Sequence, residues 1–222
     1  MKQVQIKNRW NGEVLYTADI PDDTPSGLEM RAALEKATQA RANLAGAYLA
    51  RANLADANLA GAYLADADLA GADLARAYLA RADLARANLA RAYLAGANLA
   101  RAYLARADLA RANLAGANLA RANLARAYLA RANLAGAKWR DGVVISKTPI
   151  QLYGLHWVVT ILDAHMQIGC ELHSLAEWAA FDDARIVAMD GRDALRFWRD
   201  HKEALLSLAR SCSRSFDPVE AK

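Results

Sequence analysis

Residues 82–101 read Ala82-Asp83-Leu84-Ala85-Arg86, Ala87-Asn88-Leu89-Ala90-Arg91, Ala92-Tyr93-Leu94-Ala95-Gly96, Ala97-Asn98-Leu99-Ala100-Arg101. The same pattern, Ala-x-Leu-Ala-z, runs from Ala42 to Gly136 nineteen times without insertion or exception. Position x takes only Asn, Tyr or Asp, and position z only Arg, Gly or Asp. A period of five fits neither regular structure. In a helix each residue turns ~100°, so a five-residue step leaves a net ~140° and winds the leucines around every side. In a flat strand an odd period sends successive leucines to opposite faces. A mixed unit resolves the conflict. Ala and Leu, two apart, point to one side of a short extended segment, and the next two residues turn a corner. Repetition then winds a coil with Ala and Leu inside and x and z outside, its turns stacked ~4.8 Å apart.

The Ala-(Asn/Asp)-Leu-x-x ladder resembles the pentapeptide-repeat family over all nineteen units. The resemblance implies an all-β solenoid, the right-handed quadrilateral β-helix, with one repeat per face and roughly 20 residues per coil. Nineteen repeats would then make nearly five coils, a rod of roughly 23 Å at the sheet spacing. One departure stands out: the residue after the central Leu varies in the family and is always Ala in this chain. Such uniformity is what an engineered consensus, or a recent expansion of a short DNA unit, produces.

If each face collects every fourth repeat, the z residues form columns twenty apart. One column holds Arg86, Arg106 and Arg126, after Gly46 and Asp66; a second holds Arg51, Gly71, Arg91, Arg111 and Arg131. A third holds Gly61, Arg81, Arg101 and Arg121, and the fourth Asp56, Arg76, Gly96, Gly116 and Gly136. The nine arginines from Arg81 to Arg131 are a candidate polyanion surface, for nucleic acid or a similar partner. Gly96, Gly116 and Gly136 are a candidate docking strip, since glycine permits close approach. Asp68, Asp73, Asp83 and Asp108 are placed to offset part of the arginine charge, and the x-position asparagines to form stabilising side-chain ladders. Six tyrosines are spread over all four sides.

Open coil ends expose strand edges, so caps are expected. Val4-Gln5-Ile6 and Val14-Leu15-Tyr16 read as two strands joined around Asn11-Gly12. Thr24-Pro25 reads as the start of a helix running to about Thr38, with Leu28, Ala32, Ala33 and Leu34 on its apolar side. After Trp139 the repeat stops, and Arg140-Asp141-Gly142 marks a turn. Beyond Pro149 the sequence predicts strands at Trp157–Leu162 and Met166–Cys170, a capping box from Ser174 and Glu177, and a helix over Asp193–Arg210. The expected organisation is therefore an N-terminal hairpin and helix cap at 1–41, the solenoid at 42–139, and an α+β capping domain at 140–222. This last part looks like the tail of some bacterial and prophage pentapeptide-repeat proteins, through Ile168-Gly169-Cys170, His173 and Glu177-Trp178.

The net charge of +4 is only mildly basic. Two widely separated cysteines make no disulfide framework, no apolar run approaches ~18 residues, and the N-terminus lacks a signal-peptide core. A cytoplasmic protein without membrane contact is the expectation. His165, Cys170 and His173 lie close together, but zinc wants about four ligands and no second pair is suitably spaced. There is no phosphate-binding glycine loop. The reading is a scaffold without catalysis, cofactor or metal, engaging a protein partner or a second copy through its caps. Nucleic acid bound by the arginine columns is the alternative. Some family members imitate DNA and bind topoisomerases such as gyrase, which needs an acidic surface; eleven Arg against six Asp give this ladder +5.

Overall fold

In a computed structural model, residues 1–217 are described; they fall into two compact units, 1–148 and 149–217. Residues 218–222, the end of the expected C-terminal domain, lie outside the described residues.

The first unit opens with a hairpin, β1 (Lys2–Lys7) paired antiparallel to β2 (Val14–Ile20) with Ile6 opposite Tyr16. Helix α1 (Glu29–Gln39) follows and buries Ala33, Leu34 and Ala37. It starts four residues later than Pro25, where the sequence placed it. Gly27 stands at φ +86°, outside helical space, and residues 25–28 close instead as a turn, with Leu28 N–H donating to Pro25 O (3.1 Å).

The ladder then coils with a period of twenty. Parallel bridges join each x residue to the one twenty later, from Asn43–Tyr63 to Asn118–Lys138. Leu44 N–H donates to Tyr63 O (3.0 Å), Gly46 N–H to Ala65 O (2.8 Å) and Asp68 N–H to Ala47 O (2.8 Å), and this set repeats down the stack. All nineteen ladder leucines are buried, at 0–6 % exposure. At each corner the Ala that opens the next repeat donates to the preceding Leu carbonyl, as Ala47 does to Leu44 (3.0 Å). This closes a four-residue turn whose third member is z. Every z residue has positive φ, +65° to +72° for the six glycines and +56° to +61° for the thirteen others. That is the third-residue conformation of a type II turn.

The hairpin meets the first coil directly. Arg9 N–H donates to Gly46 O (2.8 Å), Tyr48 N–H to Lys7 O (2.8 Å), and Asn8 bridges Ala47. From α1, Arg31 reaches Asp56 O (3.2 Å) and Glu35 accepts from Asn58 N–H (2.8 Å). At the other end β3 (Ala137–Lys138) pairs with β4 (Val144–Ile145) around the turn at Arg140–Gly142.

The second unit is a four-stranded antiparallel sheet, β5 (Ile150–Leu152), β6 (Val159–Ile161), β7 (His165–Ile168) and β8 (Glu171–Ser174), in that order, with two helices. Helix α2 (Leu175–Ala180) begins with the predicted capping box: Ser174 accepts from Glu177 N–H while Glu177 accepts from Ser174 N–H. Helix α3 (Asp183–Ser211) starts ten residues before the expected Asp193 and is broken at Asp190 and Gly191 (φ +68°). Its buried face, including Ile186, Phe197, Trp198, Leu205 and Leu206, packs in one core with Val159, Ile161, Met166 and Trp178. Among the described residues no helix is long and apolar enough to cross a membrane.

Candidate functional site: the outer rows of the ladder

The coil places z residues in rows twenty apart. Two rows are joined by side chains. Arg76 grips Asp56 with Nε and an Nη (both 2.8 Å), and Arg86 grips Asp66 the same way (2.7 and 2.5 Å). Hydrogen bonds from these guanidinium groups hold the Asp56 and Asp66 carboxyls below the usual carboxylate range and raise Arg76 and Arg86 in turn. In the second and fourth rows a Cβ on Gly71 or Gly96 would meet the Cγ of Arg51 (3.7 Å) or Arg76 (3.5 Å), so these rows too are stacked.

Charge is segregated along the ladder rather than around it. Residues 42–80 carry two Arg and four Asp, a net −2; residues 81–136 carry nine Arg and two Asp, a net +7. The nine are the candidate set: Arg81, Arg101 and Arg121 on one corner, Arg86, Arg106 and Arg126 on the next, Arg91, Arg111 and Arg131 on a third. Two faces of the basic half therefore have arginine along both edges. Exposed Tyr103 and Tyr128 stand in the middle of them, at 56 % and 61 % exposure.

The x residues have a role that their residue types signalled only in part. The Oδ1 atoms of Asp68, Asp73, Asp83 and Asp108 accept the N–H of the Ala two residues on, at 2.9–3.1 Å. Asn98 and Asn113 do likewise at 3.1 and 3.2 Å. Each such bond bridges the corner from its start, so Asn and Asp serve first as turn formers. The expected ladder contacts are fewer: Asn88 to Asp68 (3.0 Å), Asn133 to Asn113 (3.2 Å) and Asn118 to Asn98 (3.5 Å).

Gly96, Gly116 and Gly136 share one corner. A Cβ on Gly116 would touch nothing within 4 Å, and on Gly136 only the Gly116 nitrogen at 3.9 Å. Positive φ, not crowding, is what these glycines suit. In the second unit, burial holds the His165 imidazole below its ordinary pKa against the opposing pull of Glu177. His173 faces Glu171 instead (2.9 Å), and Cys170 is exposed. Among the described residues no group of three or more His, Cys, Asp or Glu is placed to hold a metal ion.

The family model for pentapeptide repeats matches in eight copies, over residues 42–79, 72–109 and 107–138. A pentapeptide repeat protein of the cyanobacterium Nostoc is 36 % identical over 48 % of this chain and 78 % of its own, with a TM-score of 0.31. The chain belongs to the pentapeptide-repeat family. With membership comes the pentapeptide-repeat fold, the right-handed quadrilateral β-helix. HetL of Nostoc, a pentapeptide repeat protein involved in heterocyst differentiation regulation, is 40 % identical over 44 % of this chain (TM-score 0.35), and the match spans 42 % of HetL. A family member from the Arabidopsis thaliana thylakoid lumen is 29 % identical over 46 % of this chain and 67 % of its own (TM-score 0.35). No curated protein sequence matches it.

Proposed function

We propose that this pentapeptide-repeat protein is a non-catalytic interaction scaffold whose ladder presents side chains in fixed rows and whose terminal segments cap it. The unbroken twenty-residue register carries this reading, because it fixes the spacing of every outward residue over nineteen units. The β1–β2 hairpin caps the first coil through its bonds to Gly46 and Tyr48, and β3–β4 ends the last repeat. The C-terminal unit, 149–217, is the second seat of partner recognition. Affinity capture compares the intact chain with one in which Arg91, Arg111 and Arg131 are all glycine, the residue already present in that row at Gly71. A partner held by both chains and by a truncation ending at Thr148 must read other ladder rows. A partner lost with the truncation reads the C-terminal unit. Failure of all three to retain any protein, nucleic acid or second copy removes the scaffold reading.

Charge segregation favours a second reading, in which the basic half binds a nucleic-acid backbone. Each phosphate neutralised releases a counterion, so affinity should fall steeply with salt. Binding of a labelled 30-nucleotide strand or duplex between 50 and 300 mM salt tests it. Affinity unchanged over that range, or unchanged in a variant with Arg101, Arg106, Arg121 and Arg126 replaced by Gln, would sink it.

A further inference from the structure

The second unit has a cavity, partly open to solvent, that the ladder's chemistry does not explain. Its volume is about 50 Å³, several times the ~10–15 Å³ that one water needs. Four aromatic residues wall it: Trp157, Trp178, Phe197 and Trp198. Glu171 and Asp190 are the charged residues that line it, and no lysine, arginine or histidine does.

The walls are held in place from behind. Trp157 lies against the bare backbone of Gly169, where a Cβ would stand 2.9 Å from its ring, and meets Phe197 edge to face at 5.2 Å. Trp178 donates its indole N–H to Met166 O (2.6 Å) and packs on Trp198 at 5.0 Å. The break in α3 puts Asp190 at the cavity instead of within a continuous helix. Trp198 is 3 % exposed, and its indole N–H is buried with no hydrogen-bond partner among the described residues. A buried donor left unmade is costly, so an acceptor supplied from outside would be favoured there.

Aromatic faces carry negative potential, and cages of such rings hold alkylated ammonium groups. Two carboxylates and no cation in the lining add the same sign. An anionic ligand is repelled by both carboxylates, and a neutral one leaves the carboxylates unused. Glu171 is already shared with His173, which leaves Asp190 as the main counter-charge. Lys202 shows that the Trp198 ring attracts a cation: its Nζ lies 5.6 Å from the ring centre.

We propose that the Trp157–Trp178–Phe197–Trp198 cavity is an aromatic cage for a small alkylated ammonium group, with the Trp198 N–H donating to a hydroxyl or carbonyl oxygen next to it. The inference stands whatever the ladder binds.

Choline and its neutral isostere 3,3-dimethyl-1-butanol, which has carbon in place of the charged nitrogen, test it on the full chain by tryptophan fluorescence and ligand-observed NMR. Choline should bind at least tenfold more tightly than the alcohol. Asp190→Asn should weaken choline by fivefold or more and leave the alcohol unchanged, and Trp198→Phe should weaken choline more than tetramethylammonium, which offers no acceptor. Equal or tighter binding of the alcohol, no binding of either compound to the wild-type chain, or choline affinity insensitive to Asp190→Asn would each overturn the proposal. The comparison of the two ligands on the wild-type chain decides the matter even if a variant fails to fold.

Discussion

The ladder and the C-terminal unit solve the same problem, burying apolar surface, in opposite ways. Inside the ladder every coil buries the same residue types, Ala and Leu, and the backbone bonds between coils alternate between offsets of nineteen and twenty-one residues. Nothing inside one coil distinguishes it from the next, so individuality is confined to x and z. In the C-terminal unit the core is built from unlike residues, Val159, Met166, Trp178, Phe197 and Leu205 among them, each with different neighbours. Individuality there is internal, and a cavity with a chemistry of its own is the result. Repetition gives a uniform interior and a programmable outside; irregular sequence gives a specific inside.

The largest test of this difference is an inserted residue. One glycine added between Ala90 and Arg91 shifts all later inward positions outward relative to the preceding coil, because each inward face depends on the five-residue count. The ladder should lose cooperative unfolding, seen as a collapsed or broadened transition by circular dichroism. The same glycine added beside Gly154, in the exposed loop before β6, should leave the transition within a few degrees of wild type. Equal damage at both sites would show that the ladder register is less strict than its bonding implies.

Next in size is a truncation within the core. Leu89→Ala, at a fully buried position, should cost about 2–5 kcal/mol, since the surrounding side chains are fixed by the repeating backbone and leave the space unfilled. Every buried neighbour in the coil is Ala or Leu held by the repeating backbone, so the cost should be nearly equal at Leu84, Leu94 and Leu99. In the C-terminal unit, alanine at Met166, Leu205 and Ile161 should give costs that scatter widely. Denaturant melts of the seven variants check both statements, and a scatter in the ladder as wide as in the second unit would remove the contrast.

How much of this was legible follows from where the information sits. The coil was readable because an Ala-x-Leu unit repeating every five residues admits few foldings, and the capping box at Ser174 because its three-residue spacing is local. The positive φ at z was hidden behind eleven arginines, which hide what six glycines and two aspartates hint. The turn-forming bond of Asn and Asp at x was likewise masked by the tyrosines that share the position. The late start of α1 needed the conformation of Gly27, against which Pro25 argued locally. The aromatic cavity left no local trace at all: Trp157, Phe197 and Trp198 meet only when α3 packs on the sheet. The strands β5 and β8 were missed for the same reason, being short and defined by their partners.

A smaller effect sharpens the reading of the corners. A non-glycine residue in the left-handed region costs roughly 1–2 kcal/mol in isolation, while glycine adds ~0.5–1 kcal/mol of entropy to the unfolded chain. Arg111→Gly should therefore be neutral to stabilising by up to about 1 kcal/mol, although it removes a side chain. Gly116→Ala, where a Cβ meets nothing, should be destabilising by a similar amount for φ alone. If Gly116→Ala proves neutral, the corner conformation is not what selects glycine, and the row from Gly96 to Gly136 needs another explanation, such as docking.

The smallest effect is a pH slope, and it separates the units cleanly because all four histidines lie beyond residue 148. Burial lowers the His165 pKa below the ordinary imidazole value of 6.5 in the folded unit. Between the lowered folded value and 6.5 the unfolded chain binds more protons, so stability must rise with pH across that window and fall as acid charges the partly buried ring. Unfolding of the C-terminal unit, followed by the near-ultraviolet signal of its three tryptophans, should shift to higher temperature as pH rises toward 6.5 and level off above it. His165→Gln should flatten that slope, while the ladder transition should stay level in both proteins. A slope that survives His165→Gln would move the titration to another group, and an equal slope in the ladder would deny that histidine causes it.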